Sequence, residues 1–78
     1  MLLLELGQKL TNDGLVKPAI ALYQYYTKEF PNIVVCWNEL GELYLQTNHK
    51  DEAKKCFEQA LKLRPGNPRA IENLKKLP

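Results

Sequence analysis

The feature that most constrains this chain is that it echoes itself. Shifted by 34 positions, Glu5, Leu6 and Gly7 fall on Glu39, Leu40 and Gly41. Ala19 falls on Ala53, Lys28 on Lys62 and Pro31 on Pro65, while Tyr23 meets Phe57 and Leu3 meets Trp37. A truncated third copy puts Leu74 on Leu40 and Ile71 on Trp37. A period of this length marks a repeat architecture. Each copy is one supersecondary unit that buries its apolar face by stacking on a neighbour.

The pattern inside each copy is helical. Leu3, Leu6, Gly7 and Leu10 recur at three and four, as do Trp37, Leu40, Gly41 and Tyr44. The second helices carry Ala19, Tyr23, Tyr26 and Phe30, then Ala53, Phe57, Ala60 and Leu61. No stretch alternates with period two, so no strand is predicted. Gly14 suits the left-handed residue that follows a helix end, and Asn48 takes that place in the second copy at some cost. Pro18 falls in a first helical turn, and Pro31 and Pro65 stop helices. Asn67 is placed as an N-cap, with Pro68 as first helical residue. Helices are predicted over 2–13, 17–29, 34–47, 51–63 and 68–77.

Residues 34–67 resemble a tetratricopeptide repeat at every signature position. Trp37, Leu40, Gly41, Tyr44, Ala53, Phe57, Ala60 and Pro65 stand at the family's spacing. Residues 1–33 match more loosely. Leu6, Gly7, Ala19 and Pro31 agree, Tyr23 is conservative for Phe, Leu3 and Leu10 replace Trp and Tyr, and Tyr26 replaces a small Ala. The resemblance implies an all-α fold, an α-solenoid of two helix–turn–helix units plus a C-terminal capping helix, five helices in all. One domain would span residues 1–78, with repeat one at 1–33, repeat two at 34–67 and the capping helix at 68–77.

The pattern has a physical reason. Gly41 and Ala53 are small so that two helices of one unit approach closely, and Trp37, Tyr44 and Phe57 fill the space around that contact. Ala60 is small so that the next helix can dock. Tyr26 therefore departs from the pattern, and it is expected to fill core between the two units. In the closing helix, Ile71, Leu74 and Leu77 are expected inward, with Arg69, Asn73, Lys75 and Lys76 outward.

Little in the chain points to catalysis. The lone histidine, His49, sits in a turn and has no zinc spacing with Cys36 and Cys56. One loop histidine cannot complete a Ser/His/Asp set. Gly7, Gly14, Gly41 and Gly66 are too scattered for a phosphate loop. Glu39 and Glu42 are expected as a solvated pair on one helix side. No catalytic residue, metal ligand or cofactor is predicted. Cys36 and Cys56 are offset by roughly six residues on antiparallel helices, about 9 Å at the helical rise, beyond the ~7 Å a disulfide spans. Free thiols are expected. The net charge of +2, from 11 basic and 9 acidic residues, does not call for nucleic acid. No apolar run reaches the roughly 20 residues of a membrane span. The N-terminus lacks a basic leader, so the expected compartment is the cytoplasm.

Binding has positive support. The resemblance implies that the first helices line a concave surface that takes a peptide or helix. Position by position, that surface comprises Leu4, Gln8, Thr11 and Asn12, then Val35, Asn38, Glu42, Leu45 and Gln46, then Arg69 and Glu72 with Lys76 beside them. A subfamily that clamps the C-terminal carboxylate of chaperones has its contacts at positions occupied here by Leu4, Gln8, Glu39, Arg69 and Asn73. Only Arg69 keeps that chemistry, and Glu39 would repel the carboxylate. Leu2 and Leu4 are expected to be exposed, which offers a self-association surface as the alternative. RNA binding of the pentatricopeptide kind is disfavoured by the 34-residue period and by Glu39 with Glu42.

Overall fold

The five helices are α1 (Leu2–Asn12), α2 (Val16–Glu29), α3 (Val34–Gln46), α4 (Lys50–Leu63) and α5 (Pro68–Lys76). The structure, a computed structural model, describes residues 2–77, with side chains described from Glu5 onward. Each helix lies within one residue of its sequence expectation. α2 and α4 begin one residue early because the Leu15 and His49 carbonyls already accept from Ala19 and Ala53, both at 3.0 Å. The described residues contain no strand.

Both tight turns end a helix in the same way. Gly14 has φ +78° and Asn48 φ +63°. After α1, the Leu15 amide donates back to the Leu10 carbonyl and the Gly14 amide to Thr11; after α3, His49 reaches Tyr44 and Asn48 reaches Leu45. These paired bonds satisfy the last carbonyls of each helix, and the left-handed residue makes them possible. Glycine adopts that conformation freely, and asparagine adopts it at a modest cost.

α1 packs on α2, α3 on α4 and on α2, and α5 on α4 and α3. Two buried clusters result. The first joins Ala19, Tyr23, Tyr26, Cys36, Leu40, Leu43 and Cys56. The second joins Ala53, Phe57, Ala60 and Ala70, with Leu61, Leu74 and Leu77 packed against it. Trp37 and Tyr44 touch both clusters. They are also tethered, since Trp37 Nε1 donates to the Pro31 carbonyl at 2.9 Å and Gln24 Nε2 donates to Tyr44 Oη at 2.7 Å. Tyr26 fills core, 2% exposed, with its ring edge-on to Tyr23 at 5.7 Å.

The close approach within each unit is visible at its glycine. A Cβ at Gly41 would lie 2.7 Å from the Phe57 ring, and one at Gly7 would lie 2.4 Å from Tyr23 Cζ and Oη. Both gaps are far inside van der Waals contact, so the aromatic ring occupies the volume a side chain would need. α5 carries Lys75 at this register, and Lys75 is exposed.

Cys36 and Cys56 are buried and unpaired. Burial, and then the charge of Glu52, pushes the Cys56 thiol up to about 12. Burial and Glu39 raise Cys36 as well.

Three expectations fail at the ends of the stack. Leu6 was expected in the buried stripe but is 49% exposed, while its equivalent Leu40 is 3% exposed. Periodicity places both on the same helix flank. Leu40 lies in the cluster with Tyr23 and Tyr26 of the preceding helix, and no described helix stands in that position before α1. Ile71, expected inward, is 36% exposed, because no described helix packs on α5 as α4 packs on α3. Asn73, expected outward, is buried, for the reason given below. The expected exposure of Leu2 and Leu4 lies outside the described side chains.

Candidate peptide-binding surface

The residues assigned to the surface of first helices divide into two groups. Gln8, Asn12, Val35, Gln46, Glu72 and Lys76 are exposed. Thr11 is half-buried, its Oγ1 donating to the Gly7 carbonyl at 3.0 Å. Leu45 is half-buried against the second core cluster. Leu4 lies outside the described side chains.

The remaining three, Asn38, Glu42 and Arg69, are committed to the fold. Asn38 is 2% exposed, so its placement as a free groove residue is corrected. Its Nδ2 donates to Asn67 Oδ1 at 3.0 Å, and the same oxygen caps α5 by accepting from the Ala70 amide at 2.9 Å. One asparagine thus starts a helix and anchors it to α3.

Glu39 and Glu42 are not a solvated pair. Arg69 Nη2 donates to Glu39 Oε1 at 2.5 Å and to Glu42 Oε1 at 2.7 Å, and Arg69 Nε donates to Glu42 Oε2 at 3.1 Å. The fork against Glu42 is bidentate, the geometry that makes arginine–carboxylate pairs strong. The hydrogen bond to Glu42, opposed by burial and supported next by Glu39, holds the Arg69 guanidinium more firmly protonated than an ordinary arginine. Asn73 joins the same network. Its Nδ2 bonds the Glu42 Oε2 at 3.2 Å and the Arg69 carbonyl at 2.8 Å, which explains why Asn73 is buried. Arg69 is therefore half-buried in a network rather than projecting outward.

Sequence reasoning missed Glu39, Asn67 and Asn73 as members of this network. The N-cap signal at Asn67 was legible, but its second partner lies 29 residues back along the chain. The Arg69 bonds to Glu42 and Glu39 span 27 and 30 residues. No local spacing encodes contacts at that range.

The network brings two carboxylates to one guanidinium, so an excess negative charge remains. Acceptors also exceed donors. Asn38 Oδ1 is buried and accepts no hydrogen bond among the described residues. Tyr23 Oη, lying against Gly7, is likewise unpartnered. Burial, and next the charge of Glu39, pushes the Tyr23 hydroxyl up to about 12.

The described residues enclose no pocket. They contain no group of three or more His, Cys, Asp or Glu that could hold a metal ion. No described helix is long and apolar enough to cross a membrane.

No curated protein matches the chain. Residues 34–67 match the sequence model of the tetratricopeptide repeat family. The match coincides with the helix pair α3–α4 and with the turn that leads into α5. Repeats of this family generally serve as protein-interaction modules. The chain carries a tetratricopeptide repeat at residues 34–67.

Proposed function

We propose that this protein is a non-catalytic interaction scaffold that binds a peptide or helix of another protein across α1, α3 and α5. The observation that carries the reading is the solvent-facing set Gln8, Asn12, Val35 and Gln46 on successive first helices. These side chains are uncharged and make no hydrogen bond among the described residues, so removing them costs the fold little. Asn38 and Glu42 are unsuitable probes, because their loss would loosen α5. The test is the double variant Gln8→Ala/Gln46→Ala in affinity capture from the native source. Wild type is expected to retain a partner that the variant loses, with an unchanged circular-dichroism melt. Equal capture by both would reject the assignment.

A second reading, self-association, is favoured by the exposure of Leu6 where Leu40 is covered. An apolar residue left open at the front of a stack suits a second chain. Light scattering after size exclusion separates the two readings. A species that stays monomeric at high concentration removes this one.

A further inference from the structure

The outward faces of the two second helices differ. α4 presents Lys54, Lys55, Glu58 and Lys62 to solvent, with Asp51 and Glu52 in its first turn. At the places of Glu52, Lys55 and Gln59, α2 carries Pro18, Ala21 and Tyr25, all three exposed. Tyr25, at 55%, is the most open large apolar side chain among the described residues. The face that α4 solvates with charge is thus left apolar on α2.

The charges at the ends of α2 are also reversed. Lys17 stands in the first turn and Glu29 is the last residue, whereas a helix favours anions at its start and cations at its end. α4 follows that preference, with Asp51 at the place of Lys17 and Lys62 in its last turn. On α2 only Lys28, in the last turn, does so. Neither Lys17 nor Glu29 has an ion-pair partner among the described residues.

Lys17, Ala21, Tyr25 and Glu29 recur every four residues and are all exposed, so they form one row along the outer face of α2. Tyr23, midway along the row, is fully buried on the opposite side of the helix. The row is self-complementary when reversed. A second α2 laid antiparallel across it, on a two-fold axis opposite Tyr23, sets Lys17 against Glu29 and Tyr25 against Ala21, each twice. Lys28 then falls opposite Pro18. A parallel second helix would set Lys17 on Lys17 and Glu29 on Glu29. The antiparallel copy also carries its Glu29 to the start of the first α2 and its Lys17 to the end, where the helix dipole favours each.

We propose that α2 is the contact helix of a two-fold dimer of this chain, packed antiparallel with Tyr25 of each copy on Ala21 of the other and Lys17 paired with Glu29. This rests on the self-association reading and moves its contact from Leu6 to α2. It does not call on the first-helix surface.

Sedimentation equilibrium of the full chain, up to its highest soluble concentration, is expected to show a monomer and a dimer in exchange. Tyr25→Gln, which installs the residue of α4, should raise the dissociation constant at least tenfold. Lys17→Glu and Glu29→Lys should each raise it at least threefold. The double variant Lys17→Glu/Glu29→Lys should fall back below both single variants, a recovery that a folding defect cannot imitate. A double variant no tighter than the singles would overturn the antiparallel register. A dimer that Leu6→Gln dissolves and Tyr25→Gln does not would overturn the α2 contact and leave self-association standing. A chain that is monomeric at every concentration would overturn the inference together with the self-association reading. In that case, a captured protein that Tyr25→Gln loses would assign the outer face of α2 to a different polypeptide.

Discussion

At one register, Gly7 faces Tyr23 in the first unit and Gly41 faces Phe57 in the second. At another, Tyr26 meets Cys36 where Ala60 meets Ala70. At a third, Ile33 precedes α3 without a side-chain cap, while Asn67 caps α5. Both units are helix pairs joined through a left-handed turn, and the side chains that sustain them differ. In the first unit bulk does the work, with a buried tyrosine pair and an apolar helix entry. In the second, small residues allow close approach and a polar network fixes the next helix. One repeat geometry therefore tolerates two packing solutions, provided each contact plane is filled and each buried donor meets an acceptor.

The largest effect should come from emptying the plane between the units. Tyr26→Ala removes a fully packed ring and is expected to cost about 3–5 kcal/mol, by analogy with other aromatic truncations. That is a large fraction of the roughly 4–12 kcal/mol available to a domain of this size. A urea titration followed at 222 nm should show the midpoint fall sharply. A loss below about 1 kcal/mol would mean that the first unit does not depend on bulk.

Asn67→Ala comes next, at about 1–3 kcal/mol, combining a lost cap with an unpaired Asn38 Nδ2. Hydrogen exchange should locate the damage in α5, with α1 and α2 protected as before. Ile33→Ala, at the same register, should cost only apolar packing and leave the exchange of the first α3 amides unaltered. Equal exchange signatures for the two variants would erase the distinction between polar and apolar helix entries.

The smallest effect at neutral pH belongs to Tyr23→Phe, which gives the first unit the second unit's residue. The hydroxyl it removes is buried without a partner, so stability should change by less than about 1 kcal/mol and in the favourable direction. Alkaline pH should enlarge the difference. An unfolded tyrosine ionises near 10 and folded Tyr23 near 12. The folded state therefore holds its proton longer, and the stability Tyr23 contributes is full below about 10 and declines as pH rises toward 12. Thermal melts from pH 9 to 11.5 should fall less steeply in the variant, and parallel curves would contradict this.

Much of the fold was legible because it is local. Helix spacing, the left-handed turns at Gly14 and Asn48, the Asn67 cap and the core role of Tyr26 all follow from neighbours within a turn or from the 34-residue shift. The exposures of Leu6 and Ile71 were not legible. Periodicity tells which residues share a flank but not whether another helix covers that flank. Which polar residues of the first helices are committed to the fold was not legible. Gln8, Asn12 and Gln46 are exposed, but Asn38 and Arg69 are absorbed by partners some 30 residues away. A buried amide and an exposed one look alike in sequence, since both occupy a polar position on a helix and differ only in what folds over them.

Lys75 bears on anyone who would lengthen this scaffold by grafting. Where α1 and α3 each hold a glycine under an aromatic ring, α5 presents an alkyl stem and an ammonium group to solvent. A new helix copied from α4 and fused behind α5 would bring its own ring onto that stem. The graft therefore begins with one exchange, Lys75→Gly, made together with the insertion. Made alone, that exchange would weaken a nine-residue helix by about 1 kcal/mol.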